Sequence, residues 1–317
     1  MNSKKIKILV SASPFCEHSL APTKLLKKNE IDYDLNPQNR KLTEKEILNL
    51  IKSYDGLIAD VEPLNKKVLS KAKNLKIISR VGIGTNNIDL RCAKKKGIVV
   101  TNTPDAPTEA VIELNLGLIF MLIRNISTHN TDMKKHRWER KFGLRLKFLK
   151  IGILGLGRVG MGLSQKLLKI GASKIFYNDL KRKKVKKNII YKTKDYIFKN
   201  SDVICLTLPE TNKTKKLLNK KVFKKMKKDS FLINTSRGDI IDEKDLFNYL
   251  KKGYFSGVAL DVFNNEPYNG NLIQFKRCIL TPHIGSHTID CRNRMEIEAT
   301  KDLVNFFKSK PIINKVN

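Results

Sequence analysis

The sequence offers no means of pairing its cysteines. Cys16, Cys92, Cys205, Cys278 and Cys291 are scattered over 317 residues, with no C-x-x-C motif and no histidine at finger-like spacing. That excludes a disulfide-stapled scaffold and fits free thiols in a reducing, cytoplasmic setting. Long apolar runs are missing as well: the longest, 114–123, is interrupted by Asn115 and is too short to cross a bilayer. No cleavable leader is expected, because the polar start leads straight into a strand-like run at 6–10. Solenoid repeats and low-complexity segments are absent. Acidic residues are scarce, with 30 Asp and Glu against 63 Lys and Arg and a formal net charge of +33. A charge of that size attracts polyanions non-specifically. The lysines are nevertheless spread along the whole chain and read as a solvated surface, so neither a membrane nor nucleic acid is the expected partner.

What remains is an ordinary globular composition, 41% hydrophobic and 29% charged. A chain of this length exceeds what one core usually supports, so two domains are expected. Strand-like runs at 6–10, 56–59, 76–81 and 98–101 alternate with helical patterns at 20–28, from Thr43, at 64–72 and at 90–96. Thr43 and Glu46 have capping-box spacing. Such alternation predicts a parallel sheet covered by helices. Pro104 and Pro107 interrupt it and mark a boundary. Beyond them, 108–126 reads as one long, largely buried helix, and 133–148 as a basic, irregular arm carrying the only tryptophan, Trp138. Strand candidates recur at 174–177, 203–207, 230–233, 257–260 and 278–280. The basic run 181–187 reads as an exposed turn and helix face, and an amphipathic helix at 288–307 closes the pattern.

Between the two halves lies Gly155-Leu156-Gly157-Arg158-Val159-Gly160, preceded by a short apolar run and followed by Leu163, Leu167 and Leu168 at helical spacing. Gly155 permits a tight turn, Gly157 lets the backbone approach a pyrophosphate, and Gly160 lets helix and strand pack closely. Asp179 follows a second strand-like run about 20 residues on, where a ribose hydroxyl needs an acceptor. A carboxylate there favours NAD over NADP, although Lys181 and Arg182 lie nearby.

In a nucleotide-binding α/β domain, ligand groups cluster at the carboxyl ends of strands. Arg237 follows the apolar run ending at Ile233; Asp261 and Glu266 follow Leu260; His283 follows Leu280. Hydride transfer to a carbonyl needs these types of group. A histidine paired with a carboxylate can donate a proton near neutral pH. An arginine fork grips a substrate carboxylate. His283 and His287 are four apart, but Ile284-Gly285-Ser286 between them reads as a turn with no third ligand, so no metal is expected.

With these residues in place, the chain resembles the D-isomer-specific 2-hydroxy-acid dehydrogenases, and within them the phosphoglycerate dehydrogenases and their close relatives. The similarity runs through Arg80-Val81-Gly82-Ile83-Gly84-Thr85-Asn86-Asn87-Ile88-Asp89, Asn102-Thr103-Pro104, Glu113-Leu114, the glycine turn, 234–242, Asp261-Val262-Phe263 with Glu266-Pro267, and Thr281-Pro282-His283-Ile284-Gly285. It implies two doubly wound parallel-sheet domains: a flavodoxin-like substrate domain of residues 1–103 plus 287–317, and an inserted Rossmann-type NAD-binding domain of residues 104–286. It implies a homodimer through the cofactor domain, with the Trp138 arm contributing.

The resemblance makes His283 the proton donor and acceptor, Glu266 its partner, and Arg237 the group that orients the substrate. Gly155, Gly157, Arg158, Val159 and Gly160 would meet the pyrophosphate and Asp179 the ribose. Leu208, Pro209, Thr235, Ser236 and Gly285 would line the cofactor cleft, and Asp261 would meet the nicotinamide amide. Arg80, Val81, Gly82 and Ile83 would hold the substrate carboxylate together with Arg237 and His283. The implied activity is hydride transfer between NAD(H) and a small D-2-hydroxy or 2-keto acid. The alternatives are a glyoxylate or hydroxypyruvate reductase, or a non-catalytic NAD-sensing regulator on the same fold. Departures from the family pattern are Asn86 in place of the usual Asp, Phe148-Leu149 where a glycine turn is usual, and the loop Asp60-Val61-Glu62. Phosphoglycerate dehydrogenases commonly carry an arginine for the phosphate in that loop; two acids there would repel it.

Overall fold

A computed structural model describes residues 5–317. The chain divides into two compact units, Met1–Pro107 with His287–Asn317, and Thr108–Ser286.

The first unit runs β1 (Lys7–Val10), α1 (Ala21–Lys28), β2 (Asp32–Leu35), α2 (Glu44–Leu50), β3 (Gly56–Ala59), α3 (Lys66–Lys71), β4 (Ile77–Arg80), α4 (Leu90–Lys95) and β5 (Val99–Thr101). Its five strands are all parallel, in the order β2-β1-β3-β4-β5, the flavodoxin-like arrangement. One face is closed by Leu9, Leu57, Val68, Ile78 and Val100 with their neighbours. Thr43 and Glu46 form the expected capping box, so α2 begins at Glu44.

The second unit runs α5 (Thr108–Ile123), α6 (Ile126–Met133), β6 (Ile151–Leu154), α7 (Arg158–Lys169), β7 (Ile175–Asn178), β8 (Ile189–Tyr191), α8 (Lys194–Asn200), β9 (Val203–Leu206), α9 (Lys220–Phe223), β10 (Phe231–Asn234), α10 (Glu243–Lys251), β11 (Gly257–Leu260) and β12 (Cys278–Leu280). Its seven parallel strands are ordered β12-β11-β10-β9-β6-β7-β8, so chain direction along the sheet reverses between β6 and β9. That is the switch point at which doubly wound sheets take their ligands. β6, β9, β10 and β11 are buried along their whole length, as expected of central parallel strands covered on both faces.

The chain then returns to the first unit as α11 (Ile289–Phe307), capped by the Thr288 side chain. Leu303 and Phe307 lie within 3.2 Å of where a Cβ on Gly56 would stand, and Ser79 Oγ donates to the Ala299 carbonyl at 2.7 Å. Past the helix, Lys315 forms an antiparallel bridge with Thr101, and Val316 N donates to the Val100 carbonyl at 2.8 Å. The last residues thus run along the β5 edge of the sheet.

Some expectations need correction. The helix predicted over 108–126 stops at Ile123, and α6 leaves at 63° because Asn125 takes a left-handed φ of 54°. No described helix is by itself long and apolar enough to cross a membrane. The 181–187 run contains no helix. β2, β8, α6 and α9 carried too little apolar periodicity to be read beforehand.

Candidate active site

The glycine turn joins β6 to α7 in the second unit. Gly155 has φ +96°, and a Cβ there would stand 2.6 Å from the Thr207 carbonyl oxygen. At Gly160 a Cβ would come within 2.1 Å of the Gly155 carbonyl oxygen. Both positions exclude any other residue, the first by strain and contact, the second by contact alone. At Gly157 nothing lies within 4 Å of the Cβ position, and no side chain caps α7. An open cradle before an uncapped helix N-terminus fits a dinucleotide pyrophosphate. Asp179, just past β7, accepts from Leu156 N at 2.7 Å and Leu180 N at 2.6 Å, which holds its carboxylate against the turn. Arg158 and Val159 open α7, and Leu208 and Pro209 follow β9. Thr235 Oγ1 accepts from Asn115 Nδ2 of α5 at 2.7 Å, while Ser236 turns its hydroxyl to Asn234 Oδ1 at 2.8 Å.

The same sheet edge carries the acid–base groups. His283 Nδ1 lies 2.8 Å from Glu266 Oε2, and Glu266 Oε1 accepts from Phe263 N at 3.0 Å. Burial raises the Glu266 carboxyl, but the His283 contact, the Phe263 amide and the charge of Arg237 outweigh it and hold the group below its ordinary range. Arg237, beyond β10, lines an open cavity of about 230 Å³ together with Glu210, Asp239, Asn264, Glu266 and His283. Because Nδ1 is engaged by Glu266, the other ring nitrogen, Nε2, is the one available for proton exchange.

Asp261 is 1% exposed. Its Oδ1 accepts from Thr281 Oγ1 at 2.6 Å and Ile284 N at 2.8 Å, and its Oδ2 from Gly285 N at 2.8 Å. Burial raises this carboxyl despite those donors. The three bonds flank His283, whose own φ is +55°, and so fix the loop that presents the imidazole.

Sequence reading missed a further contact set. Asn264 N donates to Glu243 Oε1 at 2.6 Å and Asn264 Nδ2 to Asp239 Oδ1 at 3.0 Å, which ties the Arg237 loop to the Glu266 loop. No spacing signal connects these residues, because their elements meet only through the sheet. Among the described residues no group of three His, Cys, Asp or Glu is placed to hold a metal ion.

In the first unit, the Arg80 loop is more self-contained than expected. Val81 N donates to the Ala59 carbonyl and Gly82 N to Thr103 Oγ1 at 2.7 Å, so these two amides serve the loop itself; Asn102 Nδ2 holds the Ile83 carbonyl at 2.8 Å. The two acids of the neighbouring loop also differ from each other. Glu62 is buried against Ser11, which donates to it at 2.5 Å, and burial raises its carboxyl; Asp60 instead faces the guanidinium groups of Arg80 and Arg292.

A family model for the D-isomer specific 2-hydroxyacid dehydrogenase NAD binding domain matches residues 116–285. The chain is similar to a glyoxylate reductase of Thermofilum pendens, 35% identical over 289 residues that cover 86% of this chain and 85% of the relative. It is also similar to a D-3-phosphoglycerate dehydrogenase of Archaeoglobus fulgidus, 30% identical over 98% of this chain and 59% of the relative. Among solved structures, the D-lactate dehydrogenase of Aquifex aeolicus in complex with NAD and lactic acid superposes with a TM-score of 0.85 at 27% identity, covering 96% of each chain.

Proposed function

The chain belongs to the D-isomer specific 2-hydroxyacid dehydrogenase family, and from that footing we propose that it reduces a small 2-keto acid, glyoxylate or hydroxypyruvate, to the D-2-hydroxy acid. It is an NAD-linked oxidoreductase. Bound NADH supplies the hydride. Gly155, Gly157, Arg158, Val159 and Gly160 would hold its pyrophosphate and Asp179 its ribose, and Leu208, Pro209, Thr235, Ser236, Asp261 and Gly285 would line its cleft.

The chain's own groups supply the rest. Arg237 grips the substrate carboxylate and draws charge toward the carbonyl oxygen. His283, held by Glu266 through Nδ1, passes a proton from Nε2 to that oxygen as negative charge builds there, and takes it back in the reverse direction. Glu266, held below its ordinary carboxylate range, faces Nδ1 and orients the ring for that transfer. In the first unit, the loop at 80–83 is the proposed substrate-facing segment, though not through the Val81 and Gly82 amides, which serve the loop itself.

The observation that carries this reading is the 2.8 Å His283–Glu266 contact on the wall of a cavity that Arg237 shares. A regulator that only sensed NAD would have no use for such a pair. The homologous glyoxylate reductase, matched over 85% of its length, supports the choice of an unphosphorylated keto acid.

The second unit exposes Trp138, Phe142 and Phe148 on its arm, with Ile126 and Met133 beside them, which supports a homodimer joined there. Five free cysteines support a cytoplasmic location.

NADH oxidation with a panel of keto acids tests the activity. His283→Gln is expected to lower kcat by roughly 10²–10⁴-fold while NADH binding, read by fluorescence, stays near wild type. Turnover at the wild-type rate in that variant would remove His283 from the mechanism.

A further inference from the structure

Three loops at the carboxyl edge of the first unit's sheet meet in one ion network. Arg292, in the first turn of α11, donates through Nη1 to Asp60 Oδ2 at 3.1 Å, through Nε to Glu296 Oε1 at 2.7 Å and through Nη2 to the Pro14 carbonyl at 2.6 Å. The other oxygen of Asp60 lies 3.9 Å from Nη2 of Arg80, whose Nη1 donates to the Val81 carbonyl. The side chains of Arg80, Asp60 and Arg292 are 13%, 17% and 15% exposed, so solvent screens their charges only weakly. Two guanidinium groups face the carboxylates of Asp60 and Glu296, and the cluster is close to neutral.

The geometry explains where the Arg80 charge goes. A Cβ on residue 82 would overlap the Arg80 guanidinium, so the side chain folds back over its own loop, and Gly82 leaves the room for it. Asp60 cannot swing away, because Arg292 holds it, and Arg292 is itself held by Glu296 and Pro14. Asp60 is thus an internal counter-ion on a cation at the sheet edge where α/β units receive ligands.

We propose that Asp60 is a specificity-determining residue: it occupies the guanidinium of Arg80 and confines the enzyme to 2-keto acids with one negative charge and a short neutral side chain, against phosphorylated or dicarboxylic ones. The proposal rests on the reductase reading above. A second anionic group on the substrate would have to displace Asp60 from Arg80 or lie beside its carboxylate, and either is unfavourable with so little water present. Arg292 is a positioning residue that acts through Asp60.

The test compares hydroxypyruvate with 3-phosphohydroxypyruvate, which share a carbon skeleton, in wild type, Asp60→Asn and Asp60→Glu. In Asp60→Asn the ratio of kcat/KM for the phosphorylated over the plain acid is expected to rise about tenfold or more, with Asp60→Glu staying near wild type. Both substrates are read on one preparation, so any misfolded fraction cancels from the ratio. An unchanged ratio in Asp60→Asn, or a wild type that takes both acids equally, overturns the proposal and leaves the reductase reading standing. Thermal melts with inorganic phosphate supply a readout without turnover: phosphate is expected to raise the Tm of Asp60→Asn and not that of wild type. Equal protection of both, or of neither, overturns the proposal. NADH oxidation with none of the keto acids would refute the reductase reading, and the phosphate melts would still decide the charge assignment.

Discussion

Glu62 shows how far one residue's environment can depart from its place in a motif. As a letter in Asp60-Val61-Glu62 it looks like half of an acidic pair, yet its carboxyl is 1% exposed and burial raises it above the ordinary carboxylate range. A group raised on folding contributes stability that is present below its unfolded pKa and lost as pH rises through the folded one. Glu62→Gln, which resembles the protonated form, should therefore match wild type in Tm at about pH 4 and exceed it increasingly toward about pH 9. A Tm difference that stays constant over that range would show that folding does not raise the Glu62 carboxyl. At this scale the gathering of Arg237, Glu266 and His283 around one cavity was readable, because each follows an apolar strand run and a parallel sheet gathers its carboxyl ends. The Asp60–Arg292 contact was not. Those residues are 232 positions apart, and only the return of α11 to the first unit brings them together.

At the scale of elements, α5 and α6 show the limit of apolar periodicity. Residues 116–126 are apolar enough to suggest an unbroken helix, and the signal that ends it is one backbone conformation. Asn125 adopts φ 54°, which Asn tolerates better than any other side chain, and its Nδ2 donates to the Phe142 carbonyl at 3.2 Å. Leu144 N also bonds the Ile123 carbonyl, so the bend is where the arm is fastened to the helix end. Asn125→Ala is expected to cost about 1–2 kcal/mol in chemical denaturation, and Asn125→Gly less than about 1 kcal/mol. Equal losses in the two variants would mean that the side-chain bond, not the left-handed backbone, holds the break. The overlooked strands have an equally local cause. Asp32-Tyr33-Asp34-Leu35 and Ile189-Ile190-Tyr191 are edge strands, polar or short, and their pairing is decided by β1 and β7 rather than by their own composition. Central strands, buried on both faces, had announced themselves.

For the whole molecule, the solvent-facing Trp138, 78% exposed, is both a proposed interface residue and the chain's only tryptophan. Intrinsic fluorescence therefore reads association directly. Emission should shift to the red as the protein is diluted through its dissociation range, and Phe142→Glu should move sedimentation toward the monomer. A monomeric sedimentation coefficient at all concentrations, with constant emission, would exclude the homodimer. The two units also differ in how the ribosome can deliver them. Thr108–Ser286 is one continuous stretch and has every strand of its sheet as soon as it emerges. The unit that begins first in the chain must wait longer. Its sheet lacks one cover until Leu303 and Phe307 arrive beside Gly56, and its β5 edge stays open until Lys315 and Val316 reach Thr101 and Val100. During synthesis the nucleotide-binding half can be complete while the other half still has bare apolar surface. That interval is when a nascent-chain chaperone has the most to cover.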